Sequence, residues 1–495
     1  MTITRSGRSD HNFASRPRVV PRCRADLKVS SDRQHSSVLA CGCCGAIRGS
    51  KAGKTGADIP TVRSSPNTLN SGVRFFMKKL VHPLVALMIL ALGMMIMPSA
   101  QAKAAVPPPP PKSYTPPAND VVFNNPAGSP AEQLAVMNQV KDAVDSVPGG
   151  SYIRFAVYSF SWNPMATALI AAHKRGVNVR LLVDSHTETS EIRTLRSELK
   201  KSTPYSNTSY LKTCTYSCMS SKPSFIHSHL YLFSRVGNAT RVSMISSANP
   251  AGTGITESWN NTYTVNDSTL YNANVDNFND MLPDKTNTDY YHTVESPPYK
   301  EYFFPRAGST KNSDTIYNIL NDVSCPSTIK ITTYFWTNLR LYLAEKLSDL
   351  KKKGCSVEVI YPDGPGGQDT IESKVTAELL DGKIPTYNTR PVNGLYMHNK
   401  VLLINGTYQG VAGQKIVYTT SQNLTKTSLR DSNEVMLRIP DARIYGKYDA
   451  NFAFIRDNYT KRVTPSSAAA AKTTAGLDSA RDTRILSDNS PDPDE

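Results

Sequence analysis

This 495-residue chain has no apolar run long enough to cross a bilayer as a helix. Its most apolar stretch, Leu84 to Met97, is fourteen residues, against the roughly 20 that a spanning helix needs, so a helical anchor there is excluded. A nucleotide-type phosphate loop is missing too. The Gly-rich turn at 361–373, YPDGPGGQDTIES, lacks the Lys and the helix-opening glycine spacing of such a loop, and is read as shaping the entrance to a site. No basic run interleaved with aromatics is present either, which leaves the electrostatic case for a nucleic-acid partner weak.

What is present is an excess of positive charge, +15 by formal count, which taken whole points to a polyanion or an anionic membrane. Its distribution removes most of that argument. The first 102 residues hold 15 Lys and Arg against 4 Asp and Glu, and the remainder carries +4. Lys78 and Lys79, the apolar run and Ala100-Gln101-Ala102 follow the order of a secretory signal peptide. Such a peptide does not act from behind 76 polar, Arg-rich residues. Met77 is therefore the expected start, with 1–76 a mis-assigned upstream extension, 77–102 the signal peptide, and the mature protein secreted and extracellular. A genuine cytosolic arm over 1–76 is the alternative, and a native N-terminus upstream of Met77 would establish it. Four cysteines fall in this part. The other four, Cys214, Cys218, Cys325 and Cys355, are an even number that in an exported protein suggests disulfides.

Residues 103–118 read as a Pro-rich extended linker and 463–495 as a low-complexity, disordered tail. Between them one pattern occurs twice. SYIRFAVYSFSWNPMATALIAAHKRGVNVRLLVDS (151–185) reads as strand, amphipathic helix from about Met165 stopped by Gly176, and strand ending at Asp184. TIKITTYFWTNLRLYLAEKLSDLKKKGCSVEVIYPDG (328–364) repeats it, with Gly354 as the stop and Asp363 as the strand end. Two βαβ units imply an α/β fold of two similar lobes, 119–295 and 296–462, with mixed, largely parallel sheets. An internal duplication of this kind brings equivalent strand ends together at a pseudo-two-fold interface, the expected place for a shared active site.

Each unit is followed by the same short plan. In the first, IHSHLYLFSRVGNATRVSMISSANP carries His227, His229, Ser247 and Asn249; in the second, MHNKVLLINGTYQGVAGQKIVYTTSQN carries His398, Lys400, Ser421 and Asn423. Residues i and i+2 of a strand share a face, so His227 and His229 are expected to project together, as are His398 and Lys400. One such motif alone is ordinary strand packing; its recurrence in a duplicated unit makes it a candidate site. Asn amides and Ser hydroxyls beside a Lys suit the non-bridging oxygens of a phosphate, and imidazole titrates near neutral pH, serving as nucleophile or acid.

These motifs resemble the phospholipase D superfamily, whose signature is His-x-Lys, four residues, Asp, then Gly-Ser-x-Asn, present twice. The second copy matches as His398-Asn399-Lys400 with Asn405 in the Asp place and Thr420-Ser421-Gln422-Asn423. The first keeps His227, with His229 for Lys, Ser234 for Asp and Ser246-Ser247-Ala248-Asn249 for the last element. The resemblance implies a phospholipase D-like phosphodiesterase acting on the headgroup phosphodiester of phospholipids, by hydrolysis or transfer, through a phosphohistidine. It implies His227 and His398 as the catalytic pair, the first-half histidine usually being the nucleophile, with Lys400 and His229 beside them and Asn249, Asn423, Ser247 and Ser421 on the substrate. Glu434 in DSNEVMLRI fits the family's carboxylate that fixes a histidine tautomer, whereas the first half offers Asn260 and Asn261, so one histidine is expected to be better oriented than the other. No metal or cofactor is implied, and the partners are a phospholipid or other phosphodiester and, transiently, a membrane surface, with the chain a monomer. His229 supplies no fixed charge, and losing one charge-assisted contact of about 1.5–3 kcal/mol would slow turnover about ten- to a hundredfold.

Three alternatives stand beside this. Cys214-x3-Cys218 followed by His227 and His229 has the ligand types of a structural zinc site, though a small disulfide loop is the competing reading; Cys325 and Cys355 either pair or lie buried. The same catalytic centre serves nucleases. A degenerate first motif would also suit a phosphate- or lipid-headgroup-binding protein without turnover.

Overall fold

The computed structural model describes residues 110–467, apart from 187, 202–207, 253 and 365–367. The readings of 1–76 as an upstream extension and of 77–102 as a signal peptide, with the start of the linker and most of the tail, lie outside the described residues. Among the described residues no helix is long and apolar enough to cross a membrane.

The first half contributes β1 (Asp120–Phe123), β2 (Tyr152–Val157), β3 (Asn178–Asp184), β4 (Tyr210–Cys214), β5 (Leu230–Val236), β6 (Ala239–Ser246), β7 (Ser258–Trp259) and β8 (Asn261–Val265). The second contributes β9 (His292–Ser296), β10 (Tyr299–Phe303), β11 (Val323–Thr332), β12 (Ser356–Tyr361), β13 (Thr386–Asn388), β14 (Tyr396–Met397), β15 (Lys400–Tyr408), β16 (Val411–Thr420), β17 (Val435–Ile439) and β18 (Lys461–Arg462).

The two βαβ readings fold as such. Between β2 and β3, the helix Asn163–Lys174 has a Pro at its start, where a missing N–H costs nothing, and buries Met165, Ala168, Leu169 and Ala172, the spacing of one helix face. It stops before Gly176, whose φ is +87°. The helix Leu341–Lys352 joins β11 to β12 in the same way. The first sheet runs β1-β8-β6-β5-β2-β3-β4 and the second β18-β13-β12-β11-β15-β16-β17-β10-β9. Read from the βαβ strands outward the orders are equivalent, which makes the fold a duplication of one mixed α/β lobe. Within the two large sheets, among the described residues, the parallel pairs are those of β2-β3-β4 and β11-β12-β13; the motif strands return as antiparallel hairpins, so the sheets are mixed and only partly parallel.

The hairpin β5-β6 depends on Gly237. Its φ is +53°, and a Cβ there would lie 2.4 Å from the Tyr114 carbonyl oxygen, so only glycine fits. Each lobe has its own outer core. A third apolar cluster joins them, with Leu182, Leu230 and Ile245 from the first sheet and Leu403, Val417 and Leu437 from the second. The sheets therefore meet through their inner faces.

Cys214 pairs with Cys218 and Cys325 with Cys355 as disulfides. The zinc alternative needs two thiolates at Cys214 and Cys218; joined to one another, those sulfurs are not ligands.

Candidate active site

Both motif histidines lie in short segments just before their strands. Ile226 bridges in parallel to Asn433 of the other half, and β14 pairs in parallel with β7. Each histidine is thus delivered by one lobe and seated by the other. The His227 N–H donates to the Asn433 carbonyl at 2.9 Å, and the His398 N–H to the Trp259 carbonyl at 3.1 Å.

The side chains repeat that crossing. His227 Nδ1 lies 3.0 Å from both carboxylate oxygens of Glu434, and His398 Nδ1 lies 3.0 Å from Asn260 Oδ1. The Asn260 amide is fixed by its Nδ2 donating to Ser258 Oγ at 2.6 Å, which turns its oxygen to the ring. The proton of His398 therefore sits on Nδ1, and Nε2 accepts from Lys400 Nζ at 2.7 Å. Both rings are held, one by a carboxylate and one by a neutral amide. The asymmetry concerns charge rather than orientation.

His229 does not stand in a strand beside His227. Its φ is +42°, a left-handed turn costly for any residue with a Cβ. The turn swings the ring between the other two imidazoles, with centroids 4.5 Å from His227 and 6.2 Å from His398. The two rings meet as the sequence reading expected, through a strained loop and not through strand alternation.

Asn249 and Asn423 end the two Ser-x-Asn elements. The Asn249 Oδ1 accepts the N–H groups of Tyr158 and Ser159 at 3.1 and 3.2 Å, at the C-terminal end of β2, and its Nδ2 is buried with no protein partner. Asn423 Oδ1 accepts from the Phe335 N–H at 3.3 Å, beyond the end of β11. Each amide is thereby oriented with its oxygen on the backbone, which leaves its NH2 as a donor for a substrate oxygen.

Ser247 and Ser421 call for a correction. Sequence reading put them on the substrate, yet the Ser247 hydroxyl donates to Asn260 Oδ1 at 2.8 Å and the Ser421 hydroxyl to Glu434 Oε2 at 2.5 Å. They stand behind the groups that orient the histidines, because their strand position turns them toward the neighbouring strand of their own sheet. Ser234, in the family's Asp place, accepts the Tyr152 N–H at 2.8 Å within the sheet.

Sequence reasoning missed Asp184 as part of the site. Its carboxylate, fully buried, accepts the N–H of Ile226 at 2.8 Å and so fixes the residue before His227. In the second half Thr389 Oγ1 takes that place, accepting the Met397 N–H at 3.0 Å. The only signal was an Asp closing the second βαβ strand, which by itself names no partner. The counterpart Asp363 is bonded to the Asn388 amide, and burial pushes its carboxyl up to about 6.

His227, His229, His398, Lys400, Asn249 and Asn423 are each at most 5 % exposed. The centre is therefore one where fixed donors act with little screening by water. Two imidazoles with fixed tautomers, an ammonium and two oriented amide donors can bind an oxyanion, attack it and protonate a leaving oxygen.

A family model described as "Cardiolipin synthase, PLD-like domain" matches the chain twice, over 148–282 and 320–456, together more than half its length. No curated protein sequence matches it. Among solved structures, phosphatidylserine synthase from Haemophilus influenzae Rd KW20 is 12 % identical, with 75 % of this chain and 95 % of that one covered and a TM-score of 0.48. Nuc from Salmonella typhimurium, described as a phospholipase D family member, is 22 % identical over 33 % of this chain and 95 % of that one, with a TM-score of 0.26.

Proposed function

The chain belongs to the phospholipase D superfamily and is a phosphodiester-acting enzyme, a phosphodiesterase or transferase; from that premise we propose that its substrate is the headgroup phosphodiester of a phospholipid, hydrolysed or transferred through a phosphohistidine.

The observation that carries this reading is the crossed pairing, His227 with Glu434 and His398 with Asn260. His227 Nε2 attacks phosphorus, and the Glu434 carboxylate on Nδ1 stabilises the positive charge that a phosphohistidine carries. Once Lys400 turns away, His398 Nε2 takes up a proton from solvent, and because Asn260 brings no charge to hold it, that proton is passed to the leaving oxygen. His398 then takes a proton from water or an alcohol, which attacks the phosphohistidine and restores His227. Lys400 leaves His398 Nε2 for the phosphoryl oxygens, joined there by the amides of Asn249 and Asn423. The family description as a cardiolipin synthase domain favours a lipid phosphodiester over DNA. A secreted location is part of the proposal, supported by the two disulfides, which persist in oxidising compartments.

Headgroup release from phospholipid vesicles is measured beside cleavage of single- and double-stranded DNA, for wild type, His398→Ala and His229→Lys. Lipid turnover that disappears in His398→Ala and rises about tenfold in His229→Lys is the expected outcome, the gain being that of one restored charge-assisted contact. DNA cleavage without lipid turnover would transfer the reading to a nuclease; silence on both substrates, with His229→Lys equally silent, would transfer it to a binding protein.

A further inference from the structure

Two arginines of the first sheet stand opposite each other with no carboxylate between them. Arg154 of β2 and Arg180 of β3 are register partners, and Tyr210 of β4 is the partner of Arg180. The three form one row across parallel strands about 4.8 Å apart. Like charges so placed repel. Both guanidinium groups lie 4.9 Å from the ring of Tyr152, two residues along on the same face, and Arg180 lies 5.8 Å from the ring of Tyr210. Ring stacking offsets part of the repulsion but adds no negative charge.

The charge balance stays open. Among the described residues no carboxylate lies within ion-pair distance of either arginine; Arg154 faces the like charge of Arg180 and the neutral phenols of tyrosines 271, 210 and 152, with a hydrogen bond to Tyr271. Arg154 is 9 % exposed. The Nε of Arg154, the Nε of Arg180 and the Tyr210 hydroxyl are all buried without a hydrogen-bond partner. Buried donors and a buried charge are normally paired, because leaving them unpaired is costly. Here they point to a ligand.

The row lies toward the N-terminal ends of β2 and β3, whereas Tyr158 and Asp184, which support the histidine site, lie at the C-terminal ends. The helix Ser268–Met281 covers part of this face, from Tyr271 beside Arg154 to Leu282, whose carbonyl accepts from Lys212. The corner formed by Tyr152, Arg180 and Tyr210 stays half-buried, so a small anion can reach it.

We propose that Arg154, Arg180, Tyr152 and Tyr210 form a second oxyanion site, specific for a phosphate-class group and separate from the catalytic histidines. The two guanidinium groups supply charge and fork-shaped donors suited to phosphate oxygens, and the tyrosines form the walls and supply one hydroxyl. The phosphate comes either from inorganic phosphate or from the headgroup of an anionic phospholipid.

The test uses the full chain as wild type, Arg180→Gln and Arg154→Gln/Arg180→Gln, with His398→Ala to account for phosphate at the catalytic centre. Melting is followed with and without inorganic phosphate, phosphate binding by equilibrium dialysis, and vesicle cosedimentation with phosphatidylcholine alone or mixed with phosphatidylglycerol. Without phosphate, Arg180→Gln should melt at or above wild type, since a repulsion has been removed. With phosphate the order should reverse, because only the intact row gains stability from its ligand. The double variant should lose at least about tenfold in affinity for the second phosphate, while His398→Ala retains that site and Arg180→Gln keeps wild-type turnover of a soluble phosphodiester. Vesicle binding that needs phosphatidylglycerol and is lost in the variants assigns the site to a lipid headgroup; dialysis binding without vesicle dependence assigns it to free phosphate. An equal phosphate-induced shift in wild type and Arg180→Gln, with unchanged dialysis and vesicle binding, would overturn the proposal and leave a tyrosine–arginine ladder only. Arg180→Gln carries the test alone if the double variant does not fold, because its site is at the half-exposed rim.

Discussion

Glu434 and Asn260 occupy equivalent places in the two lobes and differ by one charge. Each receives a Ser hydroxyl from behind, Ser421 or Ser247, and each faces a histidine Nδ1 of the opposite lobe. Glu434→Gln keeps the shape and removes the charge that would stabilise a phosphohistidine. Turnover should fall about 100- to 10,000-fold with little change in melting temperature, and a phosphorylated intermediate should no longer accumulate in rapid-quench experiments. Asn260→Asp is the converse change. If His398 is the acid, a carboxylate there holds its proton more tightly, and the alkaline limb of the pH–rate profile should move to higher pH.

At the scale of elements, the site depends on segments that belong to no helix or strand. The stretch 225–228 is clamped between Asp184 on one side and Asn433 on the other, and Asn433 Oδ1 also accepts the Cys218 N–H at 2.9 Å, which ties the small disulfide loop to the same clamp. Asp184 also accepts the His186 N–H at 3.0 Å, so Asp184→Ala leaves the N–H groups of Ile226 and His186 without this acceptor, at a cost of about 1–3 kcal/mol each where buried. Both stability and kcat should fall, while Asp184→Asn, which keeps one acceptor oxygen, should recover much of each. Equal kcat for wild type and Asp184→Ala, at matched folded fraction, would remove Asp184 from the positioning of His227.

For the whole molecule, the join between the lobes contains a carboxyl in an apolar setting. Glu301 of β10 is fully buried and meets the Asn274 amide at 2.9 and 3.0 Å. Burial pushes its carboxyl up to about 8, with the Asn274 contact pulling the other way and Asp267 adding to the rise. In the unfolded chain the group titrates near an ordinary glutamate value of about 4.3. The folded protein thus binds the extra proton between those values, and its stability contribution is complete below the lower one and lost as pH rises through about 8. Denaturant unfolding across that window should show wild type losing stability relative to Glu301→Gln; parallel pH curves for the two would contradict a protonated Glu301.

Periodicity and glycine placement were enough to read the two βαβ units, the duplication and the recurrence of a histidine motif in each half, because strand and helix periods are local properties of the chain. The resemblance of the motifs to the phospholipase D signature also implied that Glu434 and the Asn260 region lie where a histidine partner belongs. What neither contained was which histidine each would meet: the crossing arises because every motif segment pairs with the opposite lobe, and pairing between residues 207 and 138 positions apart leaves no local signal. The roles of Ser247 and Ser421 were misread for the same reason, since a hydroxyl that could face a substrate or a neighbouring strand is assigned only when both are in place. The left-handed turn at His229, the Asp184 clamp and the unpaired arginine row likewise follow from tertiary packing, where burial decides which polar groups find partners and which remain open to a ligand.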